Sequence, residues 1–364
     1  MELNRRRYIN PMKYYSYHEQ QDKQIHDKLR ELLNQLPPFC RTYFRAIEPR
    51  TESRTRLAYA YDLHVFFSFL LQENPALEQS DMRSLKLTLL DQLTGRDLEE
   101  YVEYLKYRPD DTAQDGIKVN KESGLKRKIS SLKSFYNYFF ETEQIRTNPA
   151  AFLKLPKMHE KEIIRLDYDE VARLLDEVDS GEHLTKRQQD YHKKTRVRDI
   201  ALISLLLGTG IRISECVGID LNDLDLDETK LKVHRKGGKE EMIFFSDEVA
   251  AALSPYLQAR QKMEPADENS QNALFLSMQN KRLAVRSAEN LVKKYARIVT
   301  PLKHITPHKL RSTFGTHLYQ ETGDIYLVAD VLGHADVNTT RKHYAAIEED
   351  RRRAARGAVK LRSS

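Results

Sequence analysis

The chain is 364 residues long, with 40% hydrophobic and 31% charged residues, which is enough apolar side chain for two domains that each bury a core. Lys and Arg number 60 against 54 Asp and Glu, and the resulting net charge of +6 is too mild an excess to name a partner by itself. Two cysteines, Cys40 and Cys216, in no Cys-x-x-Cys pair argue against a disulfide scaffold and a cysteine zinc site, and fit a reducing cytoplasm.

The N-terminus reads Met-Glu-Leu-Asn-Arg-Arg-Arg with no apolar run behind it, so no secretory signal is expected, and residues 1–45 form an extension of unassigned role. Helical periodicity then dominates to residue 150. Over 56–71 it places Tyr59, Leu63, Phe66, Phe67 and Leu70 on one face. A second helix is expected over 93–107, with Thr94 as N-cap ahead of Asp97. A third runs over 124–141, with Leu125, Ile129, Leu132, Phe135, Tyr136 and Phe139 on its apolar side. Strand-like alternation is scarce, so 46–150 reads as a small helical bundle. Thr147-Asn-Pro149 ends the third helix, because proline disfavours a helical conformation in the residue before it. Residues 151–165, with Pro156 and the charged run Lys157-Met-His-Glu-Lys161, read as a solvated linker.

From 166 onward the pattern is mixed. A helix opens near Asp167-Tyr-Asp-Glu170, 182–194 reads as an insertion, and 199–207 is an apolar helix closed by Gly208-Thr-Gly210. That apolar stretch, between Asp199 and Arg212, is the longest in the chain and too short to span a bilayer. Two β-prone runs within 230–245 flank Gly237-Gly238 and predict a hairpin. Further helices are expected over 287–299, 307–320, 325–332 and 339–354.

Several residues in this half carry possible chemistry. Arg212, set between Ile211 and Ile213, must face either a carboxylate, with Glu215 three residues along, or an anionic ligand. Arg235, Lys236 and Lys239 surround the glycine turn, either solvated or within reach of a phosphate. His308 and Arg311 are three apart behind Pro307, which suits a first helical position, and an imidazole beside a forked guanidinium suits two phosphate oxygens as well as it suits a surface pair. His334 follows a Leu-Gly step, and Tyr344 lies ten residues further on in a charged setting.

Singly, each of these signals is ambiguous. Their order, Arg, Lys, His-x-x-Arg, His, Tyr, resembles the tyrosine recombinase family of site-specific recombinases and phage integrases. Gly210-Ile-Arg-Ile-Ser-Glu215 is similar to that family's first arginine motif, Lys236 to its hairpin lysine, and His308-Lys-Leu-Arg311 to its His-x-x-Arg box. Leu332-Gly-His334 is similar to its Leu-Gly-His box and Tyr344 to its nucleophile, one residue beyond the usual spacing of nine, while Ser312 stands where the family often has histidine.

The resemblance implies a mainly α chain with a small β-hairpin or sheet in the catalytic domain. It further implies a two-domain, C-shaped DNA clamp: a helical core-binding domain over 46–150 and an α+β catalytic domain over 166–364. The activity implied is cutting and rejoining of DNA through a 3′-phosphotyrosyl intermediate and a Holliday junction, for chromosome dimer resolution or for integration and excision of a mobile element. Arg212, His308, Arg311 and His334 would hold the phosphate and Tyr344 would attack it. Lys236, with Lys239 as the alternative, would protonate the leaving 5′-hydroxyl. A type IB topoisomerase and an inactive DNA-binding relative are the competing readings. No cofactor and no metal are expected, since cationic side chains supply the charge, and no Gly-x-x-x-x-Gly-Lys loop is present.

The implied partners are double-stranded DNA with inverted half-sites and three further copies of the chain on that DNA, the free protein being a monomer. An accessory protein or excisionase is a further candidate, a membrane is not, and the expected location is the cytoplasm. Candidate DNA contacts are Arg54 and Arg56 at the head of the first helix, Lys126, Arg127, Lys128 and Lys133 on the third, Lys239 at the hairpin, and Arg282 and Arg286 before the helix at 287. The basic segment from Arg351 to the end has too little apolar surface to anchor on its own domain, and the resemblance places it on a neighbouring subunit.

Overall fold

The structure is a computed structural model that describes residues 16–77, 79–109, 116–157, 164–235, 238–334 and Val337. The chain divides into two compact units, Met1–Glu160 and Lys161–Ser364.

The first unit is built from helices α1 (Tyr17–Gln35), α2 (Cys40–Ile47), α3 (Ser53–Glu73), α4 (Leu89–Gln92), α5 (Gly95–Lys106) and α6 (Glu122–Glu141), with a short antiparallel pair, β1 (Tyr107–Pro109) and β2 (Ile117–Val119). Three of these helices are the ones expected from periodicity. Thr94 caps α5, its hydroxyl accepting from the Asp97 N–H while the Asp97 carboxylate accepts from the Thr94 N–H at 2.7 Å. The core is aromatic. Phe135 is fully buried and meets the rings of Tyr43, Phe67 and Phe139 at centroid distances of 5.1, 6.1 and 5.1 Å, near edge to face.

The extension holds more structure than expected. Ser16 opens α1 through a capping box with Glu19. Leu29, Leu32 and Leu36, with Tyr43 and Phe44 from α2, enter the same core as α3 and α6. Among the described residues, α1 and α2 therefore share one core with the helices expected over 46–150. The β1–β2 pair was not legible in the sequence, because strands of three residues carry too few positions to show a period of two.

The second unit contains α7 (Tyr168–Ser180), α8 (Lys186–Thr209), α9 (Ile213–Gly218), a three-stranded antiparallel sheet, α10 (Asp247–Arg260), α11 (Val285–Val299), α12 (Pro307–Thr322) and α13 (Ile325–Leu332). The sheet runs in the order β3 (Leu224–Asp225), β4 (Lys230–His234), β5 (Glu240–Phe244), with Leu231 paired to Ile243 and His234 to Glu240 across the expected hairpin. Leu231 and Val233 point into the core while Lys230, Lys232 and His234 take the other face.

Residues 182–194, which read as an insertion, are ordered as part of the second unit. They cover a short turn and the first turns of α8, which opens on a Thr185–Gln188 capping box and buries His192 with its Nε2 2.8 Å from the Val178 carbonyl. Further along α8 the buried carboxylate of Asp199 collects Arg198, Thr195 and, from α11, Lys294 and the Tyr295 hydroxyl. Burial, reinforced by Asp199, pushes the Tyr295 phenol up, so it stays protonated as a donor. Among the described residues, no helix is long and apolar enough to cross a membrane. The expected helix over 339–354 lies outside the described residues.

Candidate active site

The first motif sits on a chain reversal. The apolar α8 ends at Gly210, whose left-handed backbone (φ +63) returns its N–H to the Leu206 carbonyl at 3.1 Å. A Cβ at Gly210 would fall 2.4 Å from Phe314 Cδ1, so both the turn and the packing against α12 require glycine. Two residues on, Arg212 is the N-cap of α9 in an extended conformation. Glu215 reaches back to it twice, accepting from its backbone N–H at 2.8 Å and from its Nη1 at 2.7 Å. The Glu215 carboxylate is buried and the Arg212 side chain is 38% exposed. The two readings of Arg212 are thus compatible. One edge of the guanidinium is held by Glu215, and the side chain still reaches the surface.

The second motif lies on α12. Thr306 stands at its N-cap position without a side-chain bond, and Pro307 occupies its first position, where a missing N–H costs nothing. His308 is exposed in that first turn, and Arg311 one turn later is buried. Arg311 Nη1 donates to the Gly210 carbonyl at 2.7 Å, and its Nη2 donates to the Leu332 carbonyl. These two acceptors stand at the ends of α8 and α13, each two residues ahead of a motif residue. Helix C-termini leave carbonyls without intrahelical donors and carry partial negative charge, which is where a buried guanidinium is stabilised.

The third motif closes α13. Gly333 is left-handed (φ +60), and the His334 N–H bonds the Ala329 carbonyl at 2.9 Å, so the half-buried His334 leaves the helix in a fixed direction. Leu332 and Val331 also accept from Arg235, each at 2.9 Å. Arg235, expected among the hairpin cations, is turned inward and buried, and Glu241 on β5 grips it through two bonds of 2.9 Å. Arg212, His308, Arg311 and His334 are therefore carried on three short segments bolted to one another through backbone carbonyls. Lys236 and Tyr344 lie outside the described residues.

The nearby thiol of Cys216 is pushed up by burial and by the Glu215 charge, which keeps it protonated and unreactive. Among the described residues, no group of three or more His, Cys, Asp or Glu is placed to hold a metal ion.

The candidate DNA contacts divide by environment. Arg54, Lys126, Lys239 and Arg286 are exposed. Arg56 is buried, with Nη1 donating to the carbonyls of Glu48 at 3.0 Å and Thr51 at 2.7 Å. Arg282 donates to the carbonyls of Val217 and Ile219 and pairs with Asp220. Lys128 is buried against Asp62, which Arg127 also meets, and Lys133 donates to the carbonyls of Ala151 and Leu153. Arg127 keeps 42% of its side chain exposed. The sequence reading passed over a further basic group, Arg30, Arg41 and Arg45 with His26, around a cavity of about 410 Å³ between α1 and α2. Its signal was the four-residue spacing of His26 and Arg30 and of Arg41 and Arg45.

Comparison with known proteins agrees with this geometry. Residues 165–351 match the phage integrase family. Tyrosine recombinase XerC of Caldanaerobacter subterraneus subsp. tengcongensis is 32% identical over 308 residues, covering 82% of this chain and 79% of that one. Tyrosine recombinase XerS of Lactococcus lactis subsp. cremoris is 29% identical over 91% of this chain and 98% of its own. The crystal structure of the XerH site-specific recombinase in a post-cleavage complex with palindromic difH substrate has the same fold, with a TM-score of 0.63 at 19% identity over 91% of this chain and 88% of that one. The chain belongs to the phage integrase family, and within it is a tyrosine recombinase.

Gly210→Ala tests the reversal. It should lower stability by about 2 kcal/mol from backbone strain and the Phe314 clash, read from denaturant unfolding. A variant as stable as the native chain would show that the turn relaxes freely.

Proposed function

We propose that the chain cuts and rejoins DNA at a specific site, with Arg212, His308, Arg311 and His334 holding the scissile phosphodiester and Tyr344 as nucleophile. The observation that supports this reading is the double attachment of Arg311, whose guanidinium bonds the carbonyls of Gly210 and Leu332 and so ties together the three segments that carry these residues. The Tyr344 oxygen attacks phosphorus, the bond to the 5′ oxygen breaks, and Lys236 or Lys239 gives that oxygen a proton. A phenol is a competent leaving group. The free 5′-hydroxyl of the partner strand can therefore attack the phosphotyrosine and release Tyr344, with no net loss of phosphodiester bonds and no need of ATP. Developing charge on the phosphate oxygens is met by preorganised cations.

The first unit serves as the core-binding domain. The exposed Arg54, Lys126 and Arg286, and the Arg30, Arg41 and Arg45 group, are its and its neighbour unit's phosphate contacts. The protein works in the cytoplasm as a tetramer on two DNA duplexes, for chromosome dimer resolution or for integration and excision of a mobile element. Flanking direct repeats and an excisionase gene beside its own would indicate the element.

Arg212→Ala and Arg311→Ala should each slow covalent adduct formation on a nicked suicide substrate by about 10²–10³, the usual loss for one preorganised donor, with a smaller loss of site binding. Tyr344→Phe should bind and form no adduct. Cleavage within about tenfold of native by either arginine variant would make that arginine purely structural.

Strand exchange needs four active sites, and we assign the linkage between protomers to residues 351–364 acting on a neighbouring subunit. Deleting them should preserve binding to one half-site while abolishing cooperative filling of the second and recombination. A truncated protein that fills both half-sites cooperatively and recombines normally would place the linkage elsewhere.

A further inference from the structure

Arg235 stands at the foot of the hairpin tip, its backbone N–H closing the loop on the Lys239 carbonyl at 2.7 Å. A cation beside a glycine tip ordinarily points to water, yet this one is buried at 7% exposure. Glu241 grips it through Nε and Nη2, and Glu215 lies 3.7 Å from Nη1. Its remaining bonds run to α13, where Nη1 donates to the Leu332 carbonyl and Nη2 to the Val331 carbonyl. A carbonyl oxygen has two lone pairs. At Leu332 both are taken, one by Arg235 and one by Arg311. The next residue, Gly333, lies flat against the guanidinium, since a Cβ there would fall 2.7 Å from Arg235 Cζ. The direction in which His334 leaves α13 is therefore set by a turn whose outer wall is Arg235.

We infer that Arg235, oriented by Glu241, is a positioning residue for strand cleavage, fixing the Leu332-Gly333-His334 turn and through it the His334 imidazole. The inference rests on the role proposed above for His334 at the phosphate. It requires the planar fork. A lysine keeps the charge but is a point donor, and cannot meet a carboxylate bidentately while bonding two successive carbonyls. The pair also couples the hairpin to α13, so that β5, through Glu241, helps to set the geometry of a residue 93 positions further along the chain.

The test is a double-mutant cycle on single-turnover adduct formation with the nicked suicide substrate, using the full chain, Arg235→Lys, His334→Ala and the double variant. Arg235→Lys should slow adduct formation about tenfold or more, with half-site binding held within about twofold, whereas added to His334→Ala it should cost less than about threefold, because residues acting through one another are non-additive. A loss of stability alone would cost the same in both backgrounds. Near-native cleavage by Arg235→Lys, or its full cost on top of His334→Ala, overturns the inference. Native cleavage by His334→Ala alone would instead overturn the role given to His334, and the inference with it. Should Arg235→Lys fail to fold, Glu241→Gln enters the same cycle. Its carboxylate is 39% exposed and removable, and it should show a smaller loss, about threefold, that likewise disappears in the His334→Ala background.

Discussion

The second unit depends on one carbonyl oxygen. Leu332 ends α13, and its carbonyl accepts from Arg235 on the hairpin and from Arg311 on α12. Arg311 continues to the Gly210 carbonyl at the end of α8, which leads directly into Arg212. The ends of α8 and α13, the hairpin and α12 are thus joined through two carbonyls of a kind that all helix ends possess. The arrangement uses the unsatisfied carbonyls of helix C-termini as sockets for guanidinium groups. It also explains why two of the motifs contain glycine. At Gly210 and Gly333 the backbone must turn left-handed to expose those carbonyls, and at both positions a Cβ would strike a neighbour.

Burying this much positive charge demands compensation. Arg235 has Glu241 and Glu215 beside it, and Glu215 also holds Arg212. Removing Arg235 or Glu215, the two members whose side chains are almost wholly buried, leaves a buried charge unmatched, which typically costs about 3–5 kcal/mol. The carboxylates therefore do more than neutralise. They orient each guanidinium so that its other edges face chosen acceptors, and a site that must hold a phosphodiester in line with a nucleophile gains from that rigidity, since a small misplacement of the reacting atoms is expensive in rate.

How much of this was legible in the sequence varies with the physics involved. Amphipathic helices such as α3, α5 and α6 declare themselves by periodicity, and Thr94 and Asp167 by capping chemistry that is local to four residues. The order of the motifs was legible too, and it pointed to the family directly. The role of Arg235 was not, because its acceptors on α13 lie 96 and 97 residues away and are backbone carbonyls, which carry no residue identity. Arg56 and Arg282 misled for the same reason: a basic residue near a helix start reads as solvent-facing, and only the fold shows that carbonyls of Thr51 or Val217 have claimed it. The packing of α1 was legible in the recurrence of Ile25, Leu29, Leu32 and Leu36, which all lie buried.

The shared carbonyl makes a claim about the free protein that amide hydrogen exchange reads directly. In the native chain the His334 N–H, bonded to Ala329, and the Gly210 N–H, bonded to Leu206, sit in turns whose carbonyls Arg311 holds together. In Arg311→Lys both amides should exchange faster by about tenfold or more, together, while the middle of α8 keeps its protection, because local opening follows the loss of local ties. Unchanged protection at both turns in a folded Arg311→Lys chain would contradict the account, since the motifs would then be held in place by something other than the junction at Leu332.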